Sequence, residues 1–213
     1  MIPHRTPFFL PLFYPTLTWR KDSARKSLYL TFDDGPVSGP TEFVLDTLSR
    51  ASASGSFFCL GDNIRKYPAI FRRILEEGHT VGNHTFSHLN GWRTPLGKYV
   101  SDVQAFEVVA RESGLEKKTA LFRPPYGRIT GRQIRGLTDY DIIMWDVLSQ
   151  DYNPRLLPEQ CLRRTIKACR PGSIVVFHDS YKSEKNMEYT LPRVLDHFGG
   201  LGYSFEGLGR GKV

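Results

Sequence analysis

The 213-residue chain is poor in cysteine, holds no block of like charges and has no apolar run of membrane-spanning length. Its three cysteines, Cys59, Cys161 and Cys169, are odd in number and form no C-x-x-C pair. That excludes a disulfide framework and a zinc knuckle, and leaves buried thiols. The formal charge is +7 and the pI near 9.4, yet no run of five or six basic residues occurs and the basic side chains are not interleaved with aromatics in a stripe. Nucleic acid is therefore not an expected partner. The charge is left to an acidic glycan, a membrane surface or simple solvation. The apolar stretch over 6–19 has 14 residues broken by Pro7, Pro11 and Pro15, whereas a bilayer span takes roughly 20 apolar residues. No small-residue cleavage site follows it, so no secretory leader is expected, and a cytoplasmic place or one at the inner membrane surface is the default. Low-complexity tracts and internal repeats are missing too.

What is present suits one domain, because 40% hydrophobic and 13% aromatic content fills a full core at this length. We expect an arm over 1–26 and a catalytic domain over 27–213. The arm reads as a lip packed on the domain, or as a peripheral membrane contact. Beyond it, short apolar runs alternate with amphipathic helical stretches. Strands are expected over 28–32, 56–60, 79–82, 120–123, 140–148, 173–177 and 203–205. Between them fall helical stripes. Phe43, Val44, Thr47 and Leu48 form one, and Tyr67, Ile70, Phe71, Ile74 and Leu75 a second, entered through an Asp62 cap and closed by Gly78. A third follows Thr94-Pro95, and Thr130 with Gln133 fits a capping box. Two more are expected over 161–169 and 187–198. Seven strands separated by helices imply parallel βα units, and an α/β barrel is the expected architecture.

The polar residues at strand ends carry the chemistry. Asp33 and Asp34 follow the first strand, His84 and His88 the third, Arg123 the fourth, and His178 with Asp179 the sixth, while Asp146 lies within the fifth. Active sites of α/β barrels are built at the C-terminal rim, where residues remote in sequence meet. Neighbouring residues on an extended chain point to opposite sides, so Asp33 and Asp34 cannot share one job unless the strand end is irregular. A division of labour is expected instead, with one acid holding a cation and the other moving protons. Two histidines four apart on a helical turn present both imidazoles to one side, and with one Asp they make a three-ligand site open to water and substrate.

These segments have a familiar order. Thr31-Phe32-Asp33-Asp34-Gly35-Pro36, His84-Thr85-Phe86-Ser87-His88, Arg123-Pro124-Pro125-Tyr126-Gly127 and Val175-Val176-Phe177-His178-Asp179 resemble, in order and rough spacing, the polysaccharide deacetylase family, the NodB-homology or carbohydrate esterase family 4 domain. The resemblance covers about residues 27–208. It implies a distorted (β/α)7 barrel and metal-dependent removal of acetyl groups, usually from N-acetylglucosamine units of chitin, peptidoglycan or related glycans. Carried over, Asp34, His84 and His88 are the metal ligands and Asp33 the general base. Zinc is the expected ion, with cobalt, manganese or iron as alternatives. Arg123 pairs with the base, the Tyr126 backbone N–H faces the oxyanion and His178 is the general acid.

The chain departs from the family at its fourth motif, usually Trp-x-x-Asp-x-x-Asp-Trp. Leu148 takes the place of the first acid in Trp145-Asp146-Val147-Leu148-Ser149-Gln150-Asp151-Tyr152. Asp146 shares that side of the strand by the two-residue period, so it is the expected partner of His178, with Asp151 or Asp179 behind it. Pro125, Trp92 and Tyr152 are expected to line the substrate. The motifs read the scissile amide and not what is attached to it. A ureide, cyclic imide or formylated sugar lipid is thus an alternative substrate, and a catalytically silent glycan-binding protein a third reading.

Overall fold

The computed structural model describes residues 3–21 and 24–209. The expected bounds of arm and domain also take in residues 1–2, 22–23 and 210–213, which lie outside the described residues. The elements run β1 (Ser27–Asp33), α2 (Pro40–Arg50), β2 (Ser56–Cys59), α3 (Gly61–Lys66), α4 (Pro68–Glu76), β3 (Thr80–Asn83), α5 (Leu96–Glu112), β4 (Leu121–Phe122), α6 (Gly131–Gly136), β5 (Asp141–Ile142), β6 (Val147–Leu148), α7 (Pro158–Ala168), β7 (Ile174–His178), α8 (Glu184–Gly200) and β8 (Ser204–Phe205), preceded by one helical turn, α1 (Leu10–Phe13). All strand pairs are parallel and follow the order β5-β4-β3-β2-β1-β7-β6, with β8 added to β1. This is a distorted (β/α)7 barrel.

Period-two alternation along β1 decides where its side chains go. Leu28, Leu30 and Phe32 face the helices, where Val44 and Leu48 of α2 and Met187 and Leu191 of α8 close over them, all fully buried. Tyr29, Thr31 and Asp33 take the opposite face, toward the barrel interior that Phe58, Leu121, Ile143 and Ile174 fill. Register with β7 sets Asp33 beside His178, so the two lie at one level of the rim.

Two expected elements differ. The helix expected from Asp62 to Gly78 is two helices, α3 and α4, because Pro68 interrupts the ladder and opens the second as its first residue. The strand expected over 140–148 is split into β5 and β6, which occupy opposite ends of the sheet path. The arm accounts for the split. Thr18 N–H donates to Ile142 O (2.9 Å) and Met144 N–H to Thr18 O (2.7 Å), while Thr6 N–H donates to Asp146 O and Leu148 N–H to His4 O (both 2.8 Å). The arm thus occupies both sheet edges, which would otherwise leave unpaired backbone groups. Between these anchors, Phe8, Leu12 and Phe13 project from the α1 turn at 85%, 75% and 74% exposure. No helix among the described residues is long and apolar enough to cross a membrane.

Candidate active site

The adjacent acids resolve at the end of β1. Asp33 is the last strand residue and points inward, and Asp34 turns to a positive φ of 82°. That reversal brings both carboxylates to one rim. Gly35 must be glycine, since a Cβ there would lie 1.9 Å from Asp179 Oδ2. Asp179 holds the turn: Oδ1 accepts the Gly35 N–H (3.0 Å), Oδ2 accepts the Thr41 hydroxyl (2.7 Å), and its own N–H donates to Asp33 O (3.2 Å). Burial and the nearby Asp34 charge push the Asp179 carboxyl up to about 8, against the hydrogen bonds it accepts.

His88 and Thr85 also adopt positive φ (58° and 70°), a backbone disfavoured for non-glycine residues unless its surroundings impose it. Helix α5 supplies that support. Asn83 Nδ2 donates to Glu107 Oε1 (2.9 Å) and Val103 O (3.0 Å), while its Oδ1 accepts the Thr85 N–H (2.8 Å). Asp102 accepts the N–H groups of Phe86 (2.9 Å) and Ser87 (3.0 Å). The ligand loop is therefore fastened to the helix on both sides of Thr85.

One ligand atom from each of Asp34, His84 and His88 lies within 4.8 Å of the others, the single such group of three among the described residues. His88 Nε2 is 3.2 Å and His84 Nε2 3.6 Å from Asp34 Oδ1, a buried oxygen with no hydrogen-bond donor. His84 Nδ1 sits 2.8 Å from Arg123 O, which fixes the ring with Nε2 toward Asp34. Burial pushes the His84 imidazole down to about 4, so it is neutral at pH 7, the form that ligates. Asp34 stays well below the usual carboxylate range, because His88, His178 and His84 outweigh its burial. Two imidazoles and one carboxylate, one of whose oxygens is buried without a partner, fit a divalent metal with open positions.

Arg123 is fully buried beside this group. Its Nη1 donates to Asp33 Oδ1 and Thr31 Oγ1 (both 2.7 Å), two residues on one face of β1. The remaining donors reach Ile143 O and Met144 O, and the guanidinium stacks over Phe58 at 4.1 Å. A buried cation so anchored orients the Asp33 carboxylate and compensates its charge.

The expected partner of His178 is corrected. Asp151, not Asp146, holds it: Asp151 Oδ1 lies 2.8 Å from His178 Nδ1, and Oδ2 accepts the His178 backbone N–H (2.7 Å). Asp146 precedes the short β6 and so sits at the opposite end of the barrel, bound by Arg170 (3.0 and 3.1 Å) and Ser173 Oγ (2.7 Å). Asp151 follows β6 and reaches the rim. Burial disfavours the His178 cation, but Asp151 first, then Asp34 and Asp33, raise its pKa to about 9. Asp179 is occupied by the turn after Asp34 and is not its partner either.

Of the expected substrate-facing residues, Tyr126 stands 59% exposed with its ring 4.5 Å from that of His88 and φ of 61°, while Pro125 is buried beneath it. Tyr152 meets His178 edge-on at 5.0 Å. Trp92 is exposed, donates Nε1–H to Ile129 O (3.3 Å) and carries the Arg128 guanidinium on its ring. Asp151, Asp179, Asn83, Asp102 and Glu107 complete the site's support. Of these, the sequence singles out Asp151 and Asp179, both behind Asp146 as the expected partner of His178, whereas Asn83, Asp102 and Glu107 carry no local signal.

The rim is that of an α/β barrel with an Asp–His–His triad that could hold a metal ion, between an Arg-held Asp and an Asp-held His. Residues 20–145 match the family model described as polysaccharide deacetylase, and the chain belongs to this family. The chain is similar to the peptidoglycan-N-acetylmuramic acid deacetylase PdaC of Bacillus subtilis (33% identity over 165 residues, 76% of this chain and 34% of that protein). It is similar along 89% of both chains to a peptidoglycan-N-acetylglucosamine deacetylase of Bacillus cereus (29% identity). A chitooligosaccharide deacetylase of Bradyrhizobium is 31% identical over 81% of this chain and 80% of that one. This chain spans only about a third to a half of some relatives, 34% of PdaC and 55% of another B. cereus enzyme. Among solved structures, the Bc1960 peptidoglycan N-acetylglucosamine deacetylase superposes with a TM-score of 0.87, at 26% identity and 95% coverage of both chains.

Proposed function

We propose that the protein hydrolyses the N-acetyl group of amino-sugar units in a glycan of the chitin-oligosaccharide or peptidoglycan type, with a divalent metal, zinc foremost, held by Asp34, His84 and His88. The observation that carries this reading is the placement of two differently held proton carriers, Asp33 and His178, at one rim beside the ligand triad. The names of the relatives support the acetylated amino sugar as substrate class.

Bound there, such a metal polarises the amide carbonyl and lowers the pKa of water from 15.7 toward about 7. Asp33, kept in place by Arg123, accepts the proton that water loses as it attacks the acetyl carbon. The Tyr126 backbone N–H offers a donor to the carbonyl oxygen as it gains charge. His178 gives a proton to the departing nitrogen, so that the C–N bond breaks to acetate and a free amine. With its pKa raised to about 9, His178 is cationic at neutral pH and ready to donate.

Acetate release from a panel of N-acetylglucosamine oligomers tests the reading. Metal-loaded protein is expected to liberate acetate and amine stoichiometrically, and metal-stripped protein to liberate neither. No acetate from any member with zinc, cobalt or manganese would overturn it. Formate or a ring-opened product from other amides would redirect it to another substrate.

A further inference from the structure

A second concavity adjoins the rim. A groove of about 470 Å³ lies between the arm and the barrel, walled by Leu10, Tyr14, Trp19, Trp92, Tyr126 and Trp145. Tyr126 is shared, since its ring packs on the ligand His88 on one side and lines the groove on the other. The groove therefore adjoins the candidate metal site through Tyr126.

Its lining is mainly apolar, with Pro7, Leu10, Leu17, Ile129 and Met144 set between the aromatic rings. Half of the side-chain polar groups of its wall are spent inside the protein: Trp19 Nε1–H donates to Tyr14 O (3.2 Å), Trp92 Nε1–H to Ile129 O (3.3 Å) and the Thr6 hydroxyl to Trp145 O (2.6 Å), which leaves the Trp145 indole N–H and the Tyr14 and Tyr126 hydroxyls. Ring hydroxyls placed there would give up water for few partners, which is unfavourable. A hydrocarbon loses nothing by entering. Outside the groove, Phe8, Leu12 and Phe13 of the same arm stay open to solvent, so the apolar surface continues outward from it.

Resting on the deacetylase reading above, we infer that this groove holds a hydrocarbon chain attached to the acetylated amino sugar. The favoured substrate class is then an amphiphile whose N-acetyl group reaches the metal site while its tail lies between arm and barrel.

All three tryptophans of the chain line the groove, so intrinsic fluorescence reports its occupancy without turnover. Metal-loaded protein would be titrated with N-acetylglucosamine glycosides bearing methyl, butyl, hexyl and octyl chains. Affinity is expected to rise about threefold to fourfold per added methylene until the groove fills, following the transfer free energy of a buried methylene. Leu10→Glu is expected to flatten that dependence. Tyr14→Ser, at a half-exposed position, gives a second reading should the first variant misfold by circular dichroism.

An affinity independent of chain length would overturn the inference. So would an unaltered dependence in both variants, or octyl glucoside binding as tightly as the octyl N-acetylglucosaminide. Tightening with chitooligosaccharide length but not alkyl length would make the groove a glycan subsite and equally overturn it. Wild-type acetate release is scored separately: release without an alkyl dependence refutes the groove inference alone, and an alkyl dependence without release from any ligand refutes the deacetylase reading.

Discussion

Two Arg–Asp pairs lie at opposite ends of the barrel, and their difference separates chemistry from construction. At the C-terminal rim Arg123 is wholly buried and Asp33 nearly so, with Thr31, Ile143, Met144 and Phe58 consuming the rest of the guanidinium. At the N-terminal end Arg170 is 46% exposed and ties Asp146 to the turn before β7. The residue types are the same. What differs is whether the acid ends a strand or precedes one, because strand direction delivers the first to the candidate metal ligands and the second to the barrel floor. Solvent differs as well: Arg170 is half-exposed and turns to water when Asp146 is lost, whereas removing one partner of the buried Arg123–Asp33 pair strands a charge.

Substitution of the two acids sharpens this contrast. Asp33→Asn is expected to lower acetate release by about 10²–10⁴-fold, the usual weight of a general base. Asp146→Asn should leave turnover within twofold of the parent. A comparable loss from Asp146→Asn would break the comparison.

Asp151→Asn gives the next largest effect and has a pH signature. The proposed acid works when protonated, so activity holds below the raised pKa of His178 and falls as pH rises through about 9. Removing the Asp151 charge takes away the foremost opponent of burial, so the basic limb moves down, toward the ordinary histidine value near 6.5. A pH–rate profile that keeps its limb in the variant would show that Asp151 does not set it. The smallest effect is that of Asp146→Ala on stability. Loss of the Ser173 and Arg170 hydrogen bonds is expected to cost about 1–3 kcal/mol in denaturant unfolding, with acetate release retained.

Much of the barrel was legible in the sequence because parallel strands and crossover helices leave strong periodic traces. The ligand triad, Asp33, Arg123 and His178 stand in short local motifs, and strand ends placed them together correctly. The Asp146 assignment failed for a physical reason. The apolar run over 140–148 reads as one strand, and within one strand the two-residue period does set Asp146 and Leu148 on one side. Backbone pairing to Thr6, His4 and Thr18 of the arm divides the run instead, so Asp146 precedes a strand rather than ending one. Asp102, Glu107 and Asn83 were illegible for another reason. They act through backbone amides and a carboxamide up to 24 residues away, and only the packing of α5 against the ligand loop brings them close.

The division of labour between the adjacent acids is the central claim, and metal analysis tests it most directly. Purified Asp33→Asn and Asp34→Asn proteins would be loaded with zinc, dialysed and measured by atomic absorption. The account predicts close to one zinc per chain in Asp33→Asn with turnover lost, and little or no zinc in Asp34→Asn. Equal zinc loss in both, or full zinc retention in Asp34→Asn, would contradict it.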